Sequence, residues 1–469
     1  MNEFRKKITA WAAENTEKMV ADIQAFARIR SVSRADLAQE NAPFGPECRE
    51  MLDFALAHAR EMGFETQDHE GYCGSVMLGD CSECIGIVAH LDVVPEGDKW
   101  IYPPYGATRV GDFLIGRGVA DNKSPAIMGL YIMKMFRELG IEMKHGIRLI
   151  LGCSEETGMQ DLRYYRQHYP EPKLSLIPDS SFPANYAQKG SLSGKMKIDL
   201  GDDIKSFTGG EVANMVPPHA QAVLSGISAE AAAPMFGDGF TVEACDGGCV
   251  VKAQGIAAHA ARPEGGKSAI NMLAAALSES GLISGQSLKA ACAIAEMTSD
   301  YYGGKAGIAN EDPDTGKTTM VCGVAAMDNE GKMTLSLDCR LSLAADGERD
   351  IAVFTDYAAG LGFEAYAMSC TPPVYMPKDD PRMVTVTNLY AEITGTYVEP
   401  YTMGGGTYSR ELSNAITFGP GFPDFNGRPE GLPEHHGGAH APDEYMSISS
   451  FLRAFEVYAC AIKALDDVI

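Results

Sequence analysis

The stretch IGIVAHLD, residues 85–92, indicates the fold of this chain most directly. Its apolar run is typical of a strand that is buried on both faces, as in a parallel sheet. His90 and Asp92, two positions apart at its end, point to the same side of the strand. IRLILGC (147–153) and LSLIPD (174–179) are apolar runs of the same kind, and acidic residues follow or end each of them. We therefore expect buried strands with polar side chains at their carboxyl ends.

A strong helix pattern lies between the first two of these strands. Ser124 can cap the helix, Pro125 suits its first position, and apolar residues recur at helical spacing from Ile127 to Met135. Strands that alternate with helices predict a mostly parallel sheet with helices on its faces. The first third of the chain therefore predicts an α/β fold.

The pattern changes near residue 190, where an α+β arrangement begins. A strand, a helix, two strands joined by the turn DNEG, a helix and a final strand predict a ferredoxin-like βαββαβ plan. In order, these elements are predicted at 248–260, 268–280, 319–327, 332–343, 347–361 and 363–370. Residues 190–247 add strands and an alanine-rich helix, so we expect this plan to be enlarged.

The last part of the chain again has the α/β pattern of its first third. PPVYMPKDDP (372–381) is typical of a linker, and helical patterns follow at 382–394 and 447–465. We therefore predict one α/β domain with a mostly parallel central sheet, formed by residues 1–187 and 378–469. An inserted α+β domain, ferredoxin-like but enlarged, is predicted at 188–377.

The composition excludes several classes of partner. The formal charge is −24 over 469 residues, and so acidic a surface repels nucleic acid and anionic membranes. The first 26 residues mix acids into a helical pattern, and no run is long and apolar enough to cross a membrane. Twelve cysteines are too sparse for a disulfide scaffold, which is typical of the reduced cytoplasm. We expect a cytoplasmic protein that binds neither nucleic acid nor membrane.

Acidic residues gather where the predicted strands end. Glu155 and Glu156 directly follow one strand, Asp179 ends another, and Asp121 lies just before the predicted helix. Each acid alone could cap a helix or turn. Ligands of open α/β sheets, however, bind at the carboxyl ends of the strands. Adjacent carboxylates repel unless a positive charge neutralises them, and carboxylates with imidazoles suit Zn²⁺ or Mn²⁺. Together these acids and His90 predict a metal site.

Five motifs, in this order, resemble the dinuclear-metal peptidase and amidohydrolase family that includes aminoacylase, carnosinase, glutamate carboxypeptidase and peptidase T. They are HLDVVPEGDKW (90–100), GRGVADNKSP (116–125), SEETG (154–158), PD (178–179) and GGAHAPDEY (437–445). In length and in the size of the inserted domain, the chain is most similar to the bacterial dipeptidases of the PepV and Sapep type. The resemblance implies a zinc-peptidase-like catalytic domain that carries a lid domain.

The resemblance also implies two divalent metal ions, with Zn²⁺ expected and Mn²⁺ as the alternative. It assigns His90 and Asp179 to one ion, Glu156 and His440 to the other, and Asp121 to both. His435 and His436 lie nearby, but only His440 stands in the family's H-x-P-D-E context.

Further roles carried over from the resemblance are catalytic. Glu155 is expected to act as the general base, and Asp92 is expected to bind the imidazole of His90. His259, in GIAAHAARPEGGKSAIN (255–271), is expected to stabilise the developing oxyanion. From the residues alone, the favoured interpretation of His259 is a histidine packed at a strand edge.

Substrate contacts implied by the resemblance lie mainly in the inserted domain. Asn214 and Arg340 match lid positions, and the planar fork of an arginine suits a free C-terminal carboxylate. A surface ion pair is the alternative for Arg340. GGGTYSR (404–410) resembles a family glycine loop, which adds these candidate contacts: Gly404, Gly405, Gly406 and Thr407.

The function implied is that of a monomeric metallo-dipeptidase. A site that binds the C-terminus of the substrate and a site for its amine beside the metals leave room for a dipeptide. An enlarged lid would supply His259 within one chain, which implies a monomer. An N-acyl-amino-acid amidohydrolase, such as a desuccinylase or aminoacylase, remains the enzymatic alternative. A catalytically inactive metal- or peptide-binding protein is the other alternative, although a pure binder needs no base such as Glu155 beside the metals.

Overall fold

The computed structural model describes residues 2–469 and divides the chain into two compact units. The first unit consists of Met1–Tyr186, Met376–Tyr401 and Thr407–Ile469, and the second consists of Ala187–Tyr375 and Thr402–Gly406. The short stretch Thr402–Gly406 therefore lies in the second unit, whereas the sequence placed it in the first.

In chain order the helices are α1 (Asn2–Ala27), α2 (Pro46–Glu61), α3 (Lys123–Glu138), α4 (Gln160–His168), α5 (Ala229–Ala232), α6 (Ala269–Glu279), α7 (Gly285–Met297), α8 (Gly347–Gly360), α9 (Pro381–Thr394) and α10 (Ile448–Leu465). The strands are β1 (Glu65–His69), β2 (Cys73–Leu78), β3 (Cys84–His90), β4 (Thr108–Val110), β5 (Phe113–Ile115), β6 (Gly146–Gly152), β7 (Leu174–Ile177), β8 (Ser180–Ser181), β9 (Asn185–Gln188), β10 (Gly190–Ile198), β11 (Ile204–Gly209), β12 (Met215–Val216), β13 (His219–Ser225), β14 (Phe240–Cys245), β15 (Gly248–Gln254), β16 (Ala258–His259), β17 (Glu311–Asp312), β18 (Gly316–Lys317), β19 (Thr319–Val321), β20 (Ala325–Met327), β21 (Met333–Leu341), β22 (Glu364–Thr371), β23 (Val374–Tyr375), β24 (Tyr401–Met403), β25 (Ala415–Thr417), β26 (Pro420–Gly421) and β27 (Tyr445–Ser447).

The sheet of the first unit runs in the order β1-β2-β6-β3-β7-β25-β9. Its centre is parallel, because β3 pairs with β6 and β7, and β7 pairs with β25. Antiparallel pairs lie towards the edges, from β1 through β2 to β6 and between β25 and β9. Every residue of β3 is buried, as its apolar run predicted. Since β3, β6 and β7 run in the same direction, their carboxyl ends share one edge of the sheet.

Helices cover this sheet. α3 packs against β3 and β6, α2 against β1 and β2, and α1 and α10 pack on α3. The predicted apolar face from Ile127 to Met135 is buried. The predicted start of this helix is wrong: α3 begins at Lys123, so Ser124 and Pro125 lie within its first turn. No helix within residues 2–469 is long and apolar enough to span a membrane.

The second unit is α+β and contains one large sheet, in the order β14-β15-β13-β11-β20-β21-β10-β22. α6 packs against β11, β13 and β15, and α8 packs against β10 and β22. Along β21 the residues alternate between buried and half-buried, so one face of that strand meets the core.

The predicted hairpin is present, because β20 and β21 pair antiparallel around the DNEG turn. The pairing departs from the predicted βαββαβ plan at β22, whose neighbour is β10, whereas β15 pairs with β13 and β14. α7, which packs on α6, was not predicted. Periodicity locates a strand along the chain, but its partner depends on side-chain packing across strands.

Candidate metal centre

The shared edge of β3, β6 and β7 collects the predicted ligands of the first unit. β3 ends at His90, Glu155 and Glu156 follow the end of β6, and Asp179 follows the end of β7. Asp121 lies in the loop just before α3. The parallel pairing thus brings four segments, distant in sequence, to one place.

Asp121 lies between two histidines. Its Oδ1 is 3.0 Å from Nε2 of His90, and its Oδ2 is 3.3 Å from Nε2 of His440. The ring of His440 also lies 2.9 Å from Oε1 of Glu156, and Asp179 Oδ1 is 4.0 Å from the ring of His90. All five predicted metal ligands therefore lie together, and each oxygen of Asp121 faces a different histidine.

The choice among the C-terminal histidines has a structural explanation. His436 Nδ1 lies 2.6 Å from Asp443 Oδ2, so that ring is held by a carboxylate that is not one of the predicted ligands. His440 has a φ of +64°, a conformation that L-residues seldom adopt, and this turn directs its ring to Asp121 and Glu156.

The ring of His90 is oriented by the main chain. Its Nδ1 lies 2.9 Å from the backbone oxygen of Asp92 and 3.5 Å from the Asp92 carboxylate. Because a carbonyl oxygen only accepts, Nδ1 carries a proton, which leaves Nε2, on the side of Asp121, as the ring nitrogen that could bind a metal ion. The Asp92 carboxylate accepts the backbone N–H groups of Glu155 and Glu156, each at 3.1 Å. Asp92 therefore orients the two glutamates as well as the imidazole.

A residue that sequence reasoning did not select, Glu444, holds the loop that carries Asp121. Its Oε1 accepts the backbone N–H groups of Ala120 and Asp121, at 2.8 and 3.0 Å. Its Oε2 accepts Nη1 of Arg117 at 2.8 Å and the N–H of Gly118 at 3.0 Å. Glu444 is fully buried and Arg117 is 1% exposed, so the two charges neutralise each other. The motif HAPDEY contained this residue, but nothing in its spacing identified the partner.

Asn122 is a second residue that sequence reasoning missed. Its side-chain amide donates to the backbone oxygen of Pro178 at 2.7 Å and to Asp179 Oδ1 at 3.3 Å. The amide thus links the loop of Asp121 to the loop of Asp179. A helix-capping role is what its position before α3 would predict, yet its side chain makes no cap hydrogen bond.

The charges of the cluster fit divalent cations. Burial, reinforced by the charge of Asp121, raises the pKa of Asp179 to about 8. Burial and the charge of Asp179 raise the pKa of Glu155 well above its usual range. Two groups of side chains, His90 with Asp121 and Glu156, and His90 with Glu155 and Asp179, have ligand atoms within 4.8 Å of one another. A cation would offset the repulsion among these carboxylates, and the N/O donor set is one that Zn²⁺ and Mn²⁺ accept.

His259 belongs to the second unit, on the short hairpin of β12 and β16. Its Nδ1 accepts the N–H of Ala261 at 3.1 Å, so in the neutral ring the proton lies on Nε2. Partial burial and the charge of Arg340 lower the pKa of His259, which keeps the ring neutral. The side chain is exposed. A neutral ring with an exposed N–H is a suitable oxyanion donor.

Other predicted substrate contacts lie near His259 in the second unit. The backbone oxygen of Asn214 accepts the N–H of Ala260 at 2.8 Å. Arg340 donates Nη1 to the backbone oxygen of Gly404 at 3.3 Å. A Cβ at Gly404 would lie 2.7 Å from that of Ala261, so only glycine fits there. The structure thus brings Asn214, His259, Arg340 and the start of the glycine loop together.

Arg340 is held by an acid on its own strand. Asp338 accepts Nε at 2.7 Å and Nη2 at 3.0 Å. Of the five N–H donors of the guanidinium, these two and the Nη1 bond to Gly404 use three. One N–H on Nη1 and one on Nη2 remain, and these two donors could together bind a carboxylate.

Thr407 differs from the other candidates. It is 2% exposed, its Oγ1 lies 2.8 Å from the hydroxyl of Thr417, and it caps the short turn that follows. This placement favours a structural role for its side chain.

Comparison with known proteins agrees with these features. A sequence profile of peptidase family M20/M25/M40 matches residues 86–464. YtjP of Bacillus subtilis (strain 168), provisionally named a dipeptidase, is 28% identical over 463 residues, which cover 96% of this chain and 97% of its own.

Two solved structures share the fold. The dipeptidase Dug1p of Saccharomyces cerevisiae has a TM-score of 0.60 at 13% identity, covering 100% of this chain and 99% of its own. YxeP of Bacillus subtilis, a dinuclear metal binding peptidase, has a TM-score of 0.50 at 10% identity, covering 97% of this chain and 100% of its own. The profile spans most of the chain, so the predicted family resemblance is confirmed, and the chain belongs to peptidase family M20/M25/M40.

Proposed function

We propose that this chain is a metal-dependent dipeptidase that hydrolyses unblocked dipeptides. The observation that carries the proposal is the position of Asp121, whose two oxygens face His90 and His440 separately. A carboxylate in this position could be shared by two metal ions. One ion would be held with His90 and Asp179, and the other with His440 and Glu156. The dipeptidase names of YtjP and Dug1p support the choice of substrate.

The metal pair is part of the proposal. When bound, two divalent ions would polarise the scissile carbonyl and lower the pKa of a water molecule towards neutrality. We propose Zn²⁺, with Mn²⁺ as the alternative, because both ions accept imidazole and carboxylate ligands. The description of YxeP as a dinuclear metal binding peptidase is consistent with two ions.

Glu155 is the proposed general base. Its backbone is fixed by Asp92, and its carboxyl group lies among His90 and Asp179. A carboxyl group whose pKa is raised accepts a proton from water more readily and can pass it to the leaving amine. His259 is the proposed donor to the oxyanion, through Nε2.

The two ends of the substrate are recognised by opposite charges in this proposal. The remaining fork of Arg340 is suited to the C-terminal carboxylate, and Asp338 orients that fork. The acidic cluster of the first unit is suited to the free ammonium group.

The test is a substrate panel with metal-stripped protein that has been reloaded with Zn²⁺ or Mn²⁺. Ala-Ala, Ala-Ala-Ala and N-acetyl-alanine differ in length and in the free amine. We expect the kcat/KM of N-acetyl-alanine to lie at least about 100-fold below that of Ala-Ala, because it lacks the ammonium group and leaves the groups that would bind it unpaired. Ala-Ala-Ala should also be hydrolysed more slowly than Ala-Ala. Equal or faster hydrolysis of N-acetyl-alanine would instead identify an N-acyl-amino-acid amidohydrolase.

We also propose that the enzyme acts as a monomer in the cytoplasm. Each cysteine within residues 2–469 is a free thiol, which supports a reducing compartment. The size of the inserted second unit, Ala187–Tyr375, is what favours a monomer in this proposal. Light scattering at assay concentration should give a mass near 50.2 kDa, and an obligate dimer would contradict this proposal.

A further inference from the structure

A cavity of about 620 Å³ in the first unit opens beside the metal centre. Asp121 and Asp179 both line it, and its other walls include the aromatic rings of Phe422, Phe425 and Phe451. This volume is within the range of ~300–1,000 Å³ that is usual for small-molecule sites. The hydrolytic chemistry proposed above uses the two aspartates but leaves the rest of this cavity without a role.

The cavity walls are fixed by packing. A Cβ at Gly427 would lie 2.5 Å from the ring of Phe425, so that ring covers the glycine backbone. Tyr445 donates its hydroxyl to the backbone oxygen of Gly427 at 3.0 Å. Phe422 packs on Phe182 with ring centroids 4.8 Å apart. A pocket held in this way can discriminate among side chains by shape.

Charge within the cavity favours an uncharged occupant. Within the described part of the chain, Arg428 is the one cationic side chain that lines it. Its guanidinium already donates to backbone oxygens of its own loop, those of Leu432, Pro433 and Glu434. The acidic groups that line it are the predicted metal ligands. An acidic side chain would lose its hydration against the rings of Phe422, Phe425 and Phe451, and burial of a charge in apolar surroundings is costly.

The position beside Asp121 and Asp179 identifies which part of a dipeptide could enter. In the function proposed above, the free ammonium group of a dipeptide binds beside the metal ligands of the first unit. The Cα of the N-terminal residue connects the ammonium group to the scissile carbonyl, so its side chain starts beside the metal ligands.

We propose that this cavity binds the side chain of the N-terminal residue of the dipeptide and selects large apolar and aromatic side chains over acidic ones. The inference rests on the proposed dipeptidase function and adds a substrate class to it. Phe-Ala and Leu-Ala are then good substrates, whereas Asp-Ala is poor by at least tenfold in kcat/KM.

Ser450→Phe is the decisive variant, because Ser450 lines the cavity from α10. Its backbone N–H donates to the Ser447 hydroxyl at 3.1 Å, a bond that the substitution keeps. The new ring would fill the space that a large substrate side chain needs. We expect kcat/KM for Phe-Ala to fall about 10- to 200-fold, the range for lost apolar contacts in a pocket. The values for Ala-Phe and Ala-Ala should change far less than the value for Phe-Ala.

Phe425→Ala provides a second variant that should leave folding intact, since its ring is 38% exposed. It should lower the preference for Phe-Ala over Ala-Ala by at least threefold. Phe54→Ala is the matched control, because that ring is 36% exposed on α2 and does not line the cavity.

The outcomes distinguish a failure of the proposed cavity role from a failure of the proposed dipeptidase function. A loss confined to Ala-Phe in Ser450→Phe would assign the cavity to the C-terminal residue and overturn the inference. Equal changes for all three dipeptides, or none, would also overturn it. If the wild-type enzyme hydrolysed none of the three, the dipeptidase function itself would fail.

Discussion

Replacement of Glu444 by glutamine is expected to weaken both the fold of the first unit and its metal centre. Each oxygen of Glu444 accepts two donors, one oxygen from Arg117 and Gly118 and the other from Ala120 and Asp121. Glutamine has the same shape but a single acceptor oxygen, so its NH₂ group would face two donors in either orientation.

The expected loss follows from these contacts. Two buried donors without partners cost ~1–3 kcal/mol each, and a buried ion pair that loses one charge costs ~3–5 kcal/mol. Since the two effects overlap, the free energy of unfolding should fall by about 3–5 kcal/mol. The loop of Asp121 would lose two of the four hydrogen bonds that anchor it, and the loss of such outer contacts typically weakens metal affinity ~10–100-fold.

Urea unfolding of the metal-free protein and competitive metal titration measure the two effects separately. Glu456→Gln is the matched control, because Glu456 pairs with Arg5 at 2.7 Å where both side chains are partly exposed. That variant should lose at most about 1 kcal/mol and bind metal normally. A loss below about 1 kcal/mol in Glu444→Gln, together with unchanged metal affinity, would refute the role given to Glu444.

Three further variants test other parts of the structure. Glu155→Gln should keep its bound metal but lose ~10²–10⁴-fold in kcat, and substantial residual turnover would exclude Glu155 as the base. Asp338→Asn should raise KM for Ala-Ala more than it lowers kcat and should spare alanyl-alaninamide, which lacks the carboxylate; equal effects on both would count against orientation of Arg340. His58→Gln tests a pH effect, because the hydrogen bond to Asp22 raises the pKa of His58. Protonated His58 therefore stabilises the folded state at pH values below its pKa in the unfolded chain, ~6.5. This stabilisation is lost as the pH rises through its higher pKa in the folded state. The variant should therefore lose about 1 kcal/mol at pH 6 and less at pH 9, and a loss independent of pH would contradict this.

The parallel centre of the sheet could be predicted because its evidence is local. Apolar runs marked β3, β6 and β7, and parallel strands place their carboxyl ends together, which predicted the meeting of His90, Glu156 and Asp179. The position of Asp121 before the predicted helix added that residue, and the family motifs added His440; the distances of both from these residues agree with shared ligand sets.

Features fixed by distant contacts could not be predicted in the same way. α3 begins at Lys123, before the expected cap, and the loop in front of it is held by Glu444, more than 300 residues later in the chain. The pairing of β22 with β10 joins strands separated by most of the second unit. Side-chain periodicity carries no information about such partners, because it depends only on neighbours along the chain.

The hydrogen-bond partners of the acids at the candidate site could not be predicted from the sequence either. Asp92 was expected to bind His90 through its carboxylate, yet that carboxylate accepts the N–H groups of Glu155 and Glu156. Asp338 was not selected, although it is two residues from Arg340 and orients its guanidinium. The partner of a buried carboxylate becomes evident only when the backbone donors around it are known.

The most direct test of the central claim is the number of metal equivalents needed for dipeptide hydrolysis. Chelator-stripped protein would be titrated with Zn²⁺ or Mn²⁺, and Ala-Ala hydrolysis would be followed together with bound metal by elemental analysis. The bridging position of Asp121 predicts that full activity requires two equivalents per chain and that Asp121→Asn binds neither ion tightly. Full activity at one equivalent, or without metal, would contradict the account.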